Sequence, residues 1–94
     1  MNRSAGSVAL RFERQDGAHA FDDPAVPIEL TVEEITVRAA PRLRYPTLDV
    51  ATGKPLVYAL LHEGVEVPRD ATVGRAFPGR SATVHVVSEY ENAR

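Results

Sequence analysis

The chain has 94 residues, 44% of them apolar and 26% charged, and a net charge of −2. That length suits one small domain with a modest core, and the acidic balance argues against a nucleic-acid surface, which needs clustered lysine and arginine. With no cysteine there is no disulfide, thiolate nucleophile or cysteine-based metal site, and no apolar run approaches the roughly 20 residues that span a bilayer.

Residues 1–6 are small and polar and are expected to be disordered. The stretch from Met1 to Ser7 lacks the apolar segment of a secretory signal, so the expected compartment is the cytoplasm. Ser7 to Arg14 alternates, with Val8, Leu10 and Phe12 on one face and Ala9, Arg11 and Glu13 on the other, which predicts a half-buried strand. Gln15-Asp16-Gly17 supplies a hairpin turn, because Asp-Gly tolerates positive φ. Ala18 to Phe21 is then the returning strand. Asp22-Asp23-Pro24-Ala25-Val26-Pro27 follows at once, and proline has no amide proton to give a sheet, so the strand either stops there or lies at an edge. Pro24 and Pro27 have the spacing of a polyproline ligand, but a rigid loop is the simpler reading. Ile28-Glu29-Leu30 either resumes the strand or leads into a helix.

Thr31-Val32-Glu33-Glu34 matches a capping box, with Thr31 as the N-cap and Glu34 reaching back. Val32, Ile35, Ala39 and Leu43 share one helical face, which predicts a helix over 31–40. Pro41 is expected to end that helix near Ala40 or to kink it. β-branched Thr36 and Val37 keep a strand as the competing reading. Arg42 to Pro55 reads as loop, with Pro46 and Thr52-Gly53-Lys54-Pro55 as turn signals. Thr52-Gly53-Lys54 is no phosphate loop, because the upstream glycine is missing and proline follows.

Leu56 to His62 is an apolar run read as a third strand. The turn Glu63-Gly64, a short Val65-Glu66-Val67 strand and a polar loop from Pro68 come next. After the Phe77-Pro78-Gly79 turn, a last strand from Ala82 points Val84 and Val86 one way and Thr83, His85 and Val87 the other. The order is strand, strand, helix, strand, short strand, strand. One α-helix packed on a mixed sheet of four to five strands buries these faces, an α+β domain over 7–88 with a flexible tail at 89–94.

The stretch from Leu56 to Val87 resembles the second half of ubiquitin and its β-grasp relatives. Leu60-Leu61 stands where that family has its third strand, Gly64 at the tight turn after it and Val67 on the small fourth strand. Asp70-Ala71-Thr72-Val73 looks like the threonine–apolar step before the family's short helical loop, and Ala82 to Val87 like its last strand. The resemblance implies a partner-binding patch on the open face of the sheet, carried over to Leu61, His85 and Val87. Burial of that patch by self-association is a second use for it.

In conjugated family members the tail ends in two glycines, whose carboxylate is adenylated. Here the tail runs Tyr90-Glu91-Asn92-Ala93-Arg94, and Asn92-Ala93 falls about where the diglycine would be. Either the tail is trimmed first, or a divergent activating enzyme accepts it, or the protein is never conjugated. Lys54 is the single lysine against ten arginines, so it is the one side chain that could accept an isopeptide bond.

His19, His62 and His85 are not at metal-ligand spacing, and no Gly-x-Ser-x-Gly or Ser–His–Asp pattern stands out. We therefore expect no catalytic residues, no metal and no cofactor. The resemblance implies a bacterial ubiquitin-like protein engaged by activating- and conjugating-enzyme-like partners. The alternative is a non-conjugated β-grasp subunit of a host complex, such as the small subunit of a toluene-type diiron monooxygenase or a secretion-system component. Neither reading involves nucleic acid or a membrane.

Overall fold

The alternation of Ser7–Arg14 becomes strand β1, with Val8, Leu10 and Phe12 buried and Arg11 exposed. A computed structural model describes residues 6–79 and 81–88. After β1 come β2 (Ala20–Pro27), helix α1 (Val32–Arg42), β3 (Tyr58–His62), β4 (Val65–Glu66), the one-turn helix α2 (Val73–Ala76) and β5 (Ser81–Ser88). The five strands form one sheet in the order β2-β1-β5-β3-β4. β1 and β5 run parallel, and the other pairs are antiparallel. Helix α1 covers one face, where Ile35, Ala39 and Leu43 pack into the same core as Leu10, Leu60 and Val84. This is the ubiquitin-like β-grasp architecture expected from the element order.

The second strand takes the edge course, one of the two expected of it. It continues through Pro24 to Pro27 instead of ending near Phe21. Two features permit this. β2 is an edge strand, and Leu10 pairs Asp23 while Val8 pairs Val26, so Pro24 and Ala25 both stand opposite Ala9. The bulge takes the proline out of the ladder, where its missing amide costs no bond. Ile28 to Leu30 leads into the helix. Its carbonyls are used by α2: Val73 N–H donates to Leu30 O at 2.8 Å and Gly74 N–H to Ile28 O at 3.0 Å.

The capping box is present in full. Glu34 N–H donates to Thr31 Oγ1 at 3.1 Å, and Thr31 N–H to Glu34 Oε1 at 2.9 Å. The first two helical amides find partners across the fold, Val32 N–H to Ala71 O and Glu33 N–H to Arg69 O. All four amides that lack an intrahelical acceptor, from Thr31 to Glu34, are thereby satisfied. Buried Thr36 is accommodated in the helix because its hydroxyl donates to Val32 O at 2.7 Å.

Pro41 neither ends the helix at Ala40 nor stands outside it; α1 includes it and stops at Arg42. Closure comes just beyond, where Arg44 N–H donates to Pro41 O and Tyr45 N–H to Ala40 O. Arg44 takes φ 66° to make this possible, the left-handed close that glycine usually provides. Arg14 Nη1 donates to the Leu43 and Arg44 carbonyls at 3.2 and 3.0 Å, meeting the negative end of the helix with a cation.

Two tyrosines tie the long loop to the sheet. Tyr45 Oη donates to Val86 O and Tyr58 Oη to Pro46 O, both at 2.6 Å, with the rings 4.8 Å apart. The β3–β4 turn is Glu63-Gly64, with φ 55° and 80°, as a two-residue hairpin of the I′ type requires. Glutamate is a poor occupant of that region. Replacing Glu63 with asparagine is expected to stabilise the fold by about 0.5–1 kcal/mol, a fraction of the left-handed penalty. A shift of the urea midpoint at unchanged slope would measure it.

Candidate functional site

The face of the sheet opposite α1 presents one continuous row. Glu13 on β1 is the Cα partner of His85 on β5. His85 partners Leu61 on β3, and Leu61 partners Glu66 on β4. The expected pair Leu61 and His85 is therefore side by side, on strands far apart in sequence. Leu60 turns into the core, and His62 lies edge-on to buried Phe77 at 5.3 Å. Leu61 is half-buried and the His85 side chain is 39% exposed.

Val87 is a correction to the patch. The pleat directs it away from the core cluster as expected, yet it is only 3% exposed, and its cross-strand partner Ala59 is also buried. Strand alternation sets the direction of a side chain, whereas exposure depends on what else packs there. The accessible surface thus consists of Leu61 and His85, without Val87.

Charge surrounds the pair. His85 Nε2 lies 3.0 Å from Glu13 Oε1. Arg11 Nε donates to Glu13 Oε2 at 2.9 Å, and Arg11 Nη1 reaches Asp22 Oδ2 at 3.2 Å. Arg11 is Asp22's cross-strand partner and stands two residues from Glu13 on the same strand face. Sequence reading placed Arg11 and Glu13 on one face but missed this network, because Asp22 and His85 reach it only through strand pairing. The hydrogen bond from Arg11, joined by the nearby His85 and the Arg11 charge, lowers the Glu13 pKa below the usual 4.5 despite an opposing desolvation cost. Hydrogen bonds from the Thr31 backbone and hydroxyl lower the Glu34 pKa in the same way.

A carboxylate with a lowered folded pKa contributes stability that is present above its unfolded pKa and lost as pH falls through the folded value. The melting temperature should therefore fall as pH drops below about 4.5, and Glu13→Gln should make that acid slope shallower. Thermal melts of both proteins between pH 7 and 3 check this, and equal slopes would refute it. The effect is expected to be small, because the pair is solvent-exposed.

Among the described residues no group of three or more His, Asp or Glu side chains could hold a metal ion, and no helix is long and apolar enough to cross a membrane. His19 is exposed on the β1–β2 hairpin, and Lys54 is exposed on the loop before β3. Tyr90, Glu91, Asn92, Ala93 and Arg94 lie outside the described residues.

Neither a protein-family model nor a curated protein matches the sequence. Solved structures do match the fold. A chain from a structure described as molecular mimicry of SUMO promoting DNA repair superposes with a TM-score of 0.66 at 14% identity, covering 90% of this chain and 95% of that one. A ubiquitin-fold protein from Arabidopsis thaliana superposes with a TM-score of 0.61 at 15% identity, covering 95% of this chain and 92% of that one. At such identities the likeness establishes the ubiquitin-like fold and nothing finer.

Proposed function

We propose that this chain is a protein-interaction module of a bacterial ubiquitin-like conjugation pathway, engaged by activating- and conjugating-enzyme-like partners through Leu61 and His85. The observation that carries the reading is the cross-strand pair itself: an apolar side chain beside an imidazole that Glu13 approaches at 3.0 Å, on the face that α1 leaves open. A rigid sheet presents both groups with little further ordering cost, which favours recognition. The ubiquitin-fold neighbours support an interaction module of this fold, and the composition, ten arginines to one lysine, is compatible with a bacterial source. As a modifier the chain would be joined through its tail, at Asn92 or a neighbour exposed by trimming, and exposed Lys54 is the side chain at which a chain of copies could branch.

A second reading comes from the resemblance. Asn92-Ala93 falls about where that family's diglycine would be, and such a tail fits a non-conjugated subunit that uses the same surface inside a larger complex. Mass spectrometry of the N-terminally tagged protein, purified from its native cells under denaturing conditions, separates the two. Denaturation removes every non-covalent partner, so heavier species joined through the tail identify a modifier and its reactive residue. A single unmodified chain ending at Arg94 identifies the subunit.

A further inference from the structure

The two ring nitrogens of His85 have different surroundings. Nε2 lies 3.0 Å from Glu13 Oε1, at hydrogen-bond distance. Nδ1 has no bond to any described residue, and the side chain is partly open to solvent. Glu13 is itself held. Its other oxygen, Oε2, accepts from Arg11 Nε at 2.9 Å, and Arg11 Nη1 donates to the two Asp22 oxygens at 3.3 and 3.2 Å. Four side chains on three strands thus form one line, from Asp22 through Arg11 and Glu13 to His85.

That line decides which nitrogen carries the proton. An ionised carboxylate only accepts hydrogen bonds, whereas a neutral imidazole donates from one nitrogen and accepts at the other. The hydrogen bond from Arg11 lowers the Glu13 pKa and keeps the carboxyl ionised. The nitrogen facing Glu13 is therefore the donor, and Nδ1 is left as a bare acceptor. A carboxylate behind an imidazole orients histidines at metal sites and in catalytic triads by the same rule.

We infer that Glu13 is a positioning residue of the binding face: it holds His85 as the Nε2–H tautomer, so that Nδ1 is offered as an acceptor beside Leu61. The partner that fits is a protein segment that sets an apolar side chain against Leu61 and an N–H donor against Nδ1. A segment that brings an acceptor to the same place leaves two lone pairs facing each other and is rejected. The inference rests on the function proposed above and names the chemistry that the same surface selects.

Two measurements on the full chain test it. Long-range proton–nitrogen correlation of histidine-labelled protein at about pH 8, where an ordinary imidazole is neutral, reads the tautomer. The signals of His85 are assigned by their loss in His85→Asn. Nε2 is expected to be protonated and Nδ1 bare, and Glu13→Ala should bring the two signals toward their average. Glu13→Gln should invert them. Its carbonyl turns to Arg11, which can only donate, so its NH2 group faces Nε2 and the proton moves to Nδ1. A proton on Nδ1 in the wild type, or signals indifferent to both variants, overturns the inference.

The purified partner that binds through Leu61 is then titrated. Glu13→Gln should weaken it about tenfold, because a donor then meets a donor, and His85→Phe about as much. His85→Asn, whose Oδ1 stands as many bonds from the backbone as Nδ1, should lose less than His85→Phe. A partner that needs Leu61 yet binds Glu13→Gln as tightly as wild type overturns this inference alone. A search that yields no partner dependent on Leu61 defeats the proposed function, and this inference with it.

Discussion

Leu61→Asp is expected to abolish capture of the principal protein partner while the domain stays folded. Leu61 is half-buried and points away from the core, so the change removes no core contact and opens no cavity. The aspartate would stand in a row with Glu13 and Glu66 on a face that already holds Asp22. A new desolvated carboxylate at the centre of an interface is unfavourable on two counts, the lost apolar contact and the uncompensated charge. Central interface anchors typically cost 2 kcal/mol or more when removed, about thirtyfold in affinity, enough to remove a micromolar partner from a pull-down. Circular dichroism and melting temperature should change little. Capture from lysate by wild type and variant, followed by titration of the identified partner, makes the measurement. Undiminished binding would take the interaction away from Leu61 and His85.

Leu43→Ala addresses the fold and should be the most destabilising of the substitutions considered. Leu43 is fully buried at the C-cap of α1 and belongs to the core beneath the helix. Truncation leaves the backbone bonds in place, including the one that Leu43 O accepts from Arg14, so the loss isolates packing. Leucine-to-alanine changes at such sites cost about 2–5 kcal/mol, part from transfer and part from the cavity. Domains of this size have about 5–15 kcal/mol in total. A fall in melting temperature of about 10–40 °C is expected, with the urea midpoint moving in step. Val37→Ala on the same helix should alter the monomer by less than about 0.5 kcal/mol, because Val37 is 68% exposed. Similar losses at both positions would mean that α1 does not pack on the face its periodicity indicates.

Legibility differed from one element to the next. Helix α1 was readable almost residue by residue. A threonine cap and a glutamate three residues on make bonds within one turn, and Val32, Ile35, Ala39 and Leu43 are all in the core. The β3–β4 turn was equally plain, since Gly64 takes the positive φ of the turn at no steric cost. In β5, alternation correctly divided Val84 and Val86 from His85. Pro24 left two courses open, because the penalty for proline in a strand depends on whether the strand is an edge, and edges belong to the sheet rather than to the strand. Pro41 misled a little: the helix absorbed it within its last turn, closed by Arg44 and Arg14.

Local sequence by itself determined the inward faces of α1, β1 and β5 and the outward direction of His85. Each of those follows from a period of 3.6 or 2 along the chain, which needs no knowledge of neighbours. Tertiary structure alone decided that Leu61 and His85 are cross-strand partners, that Glu13 and Arg11 join them, that Val87 is buried, and that Val37, Leu48 and Val57 share a groove. Those facts depend on which strand lies beside which and on what the loop covers. Pairing and burial are properties of distant segments brought together, and periodicity along one segment carries no record of its neighbours.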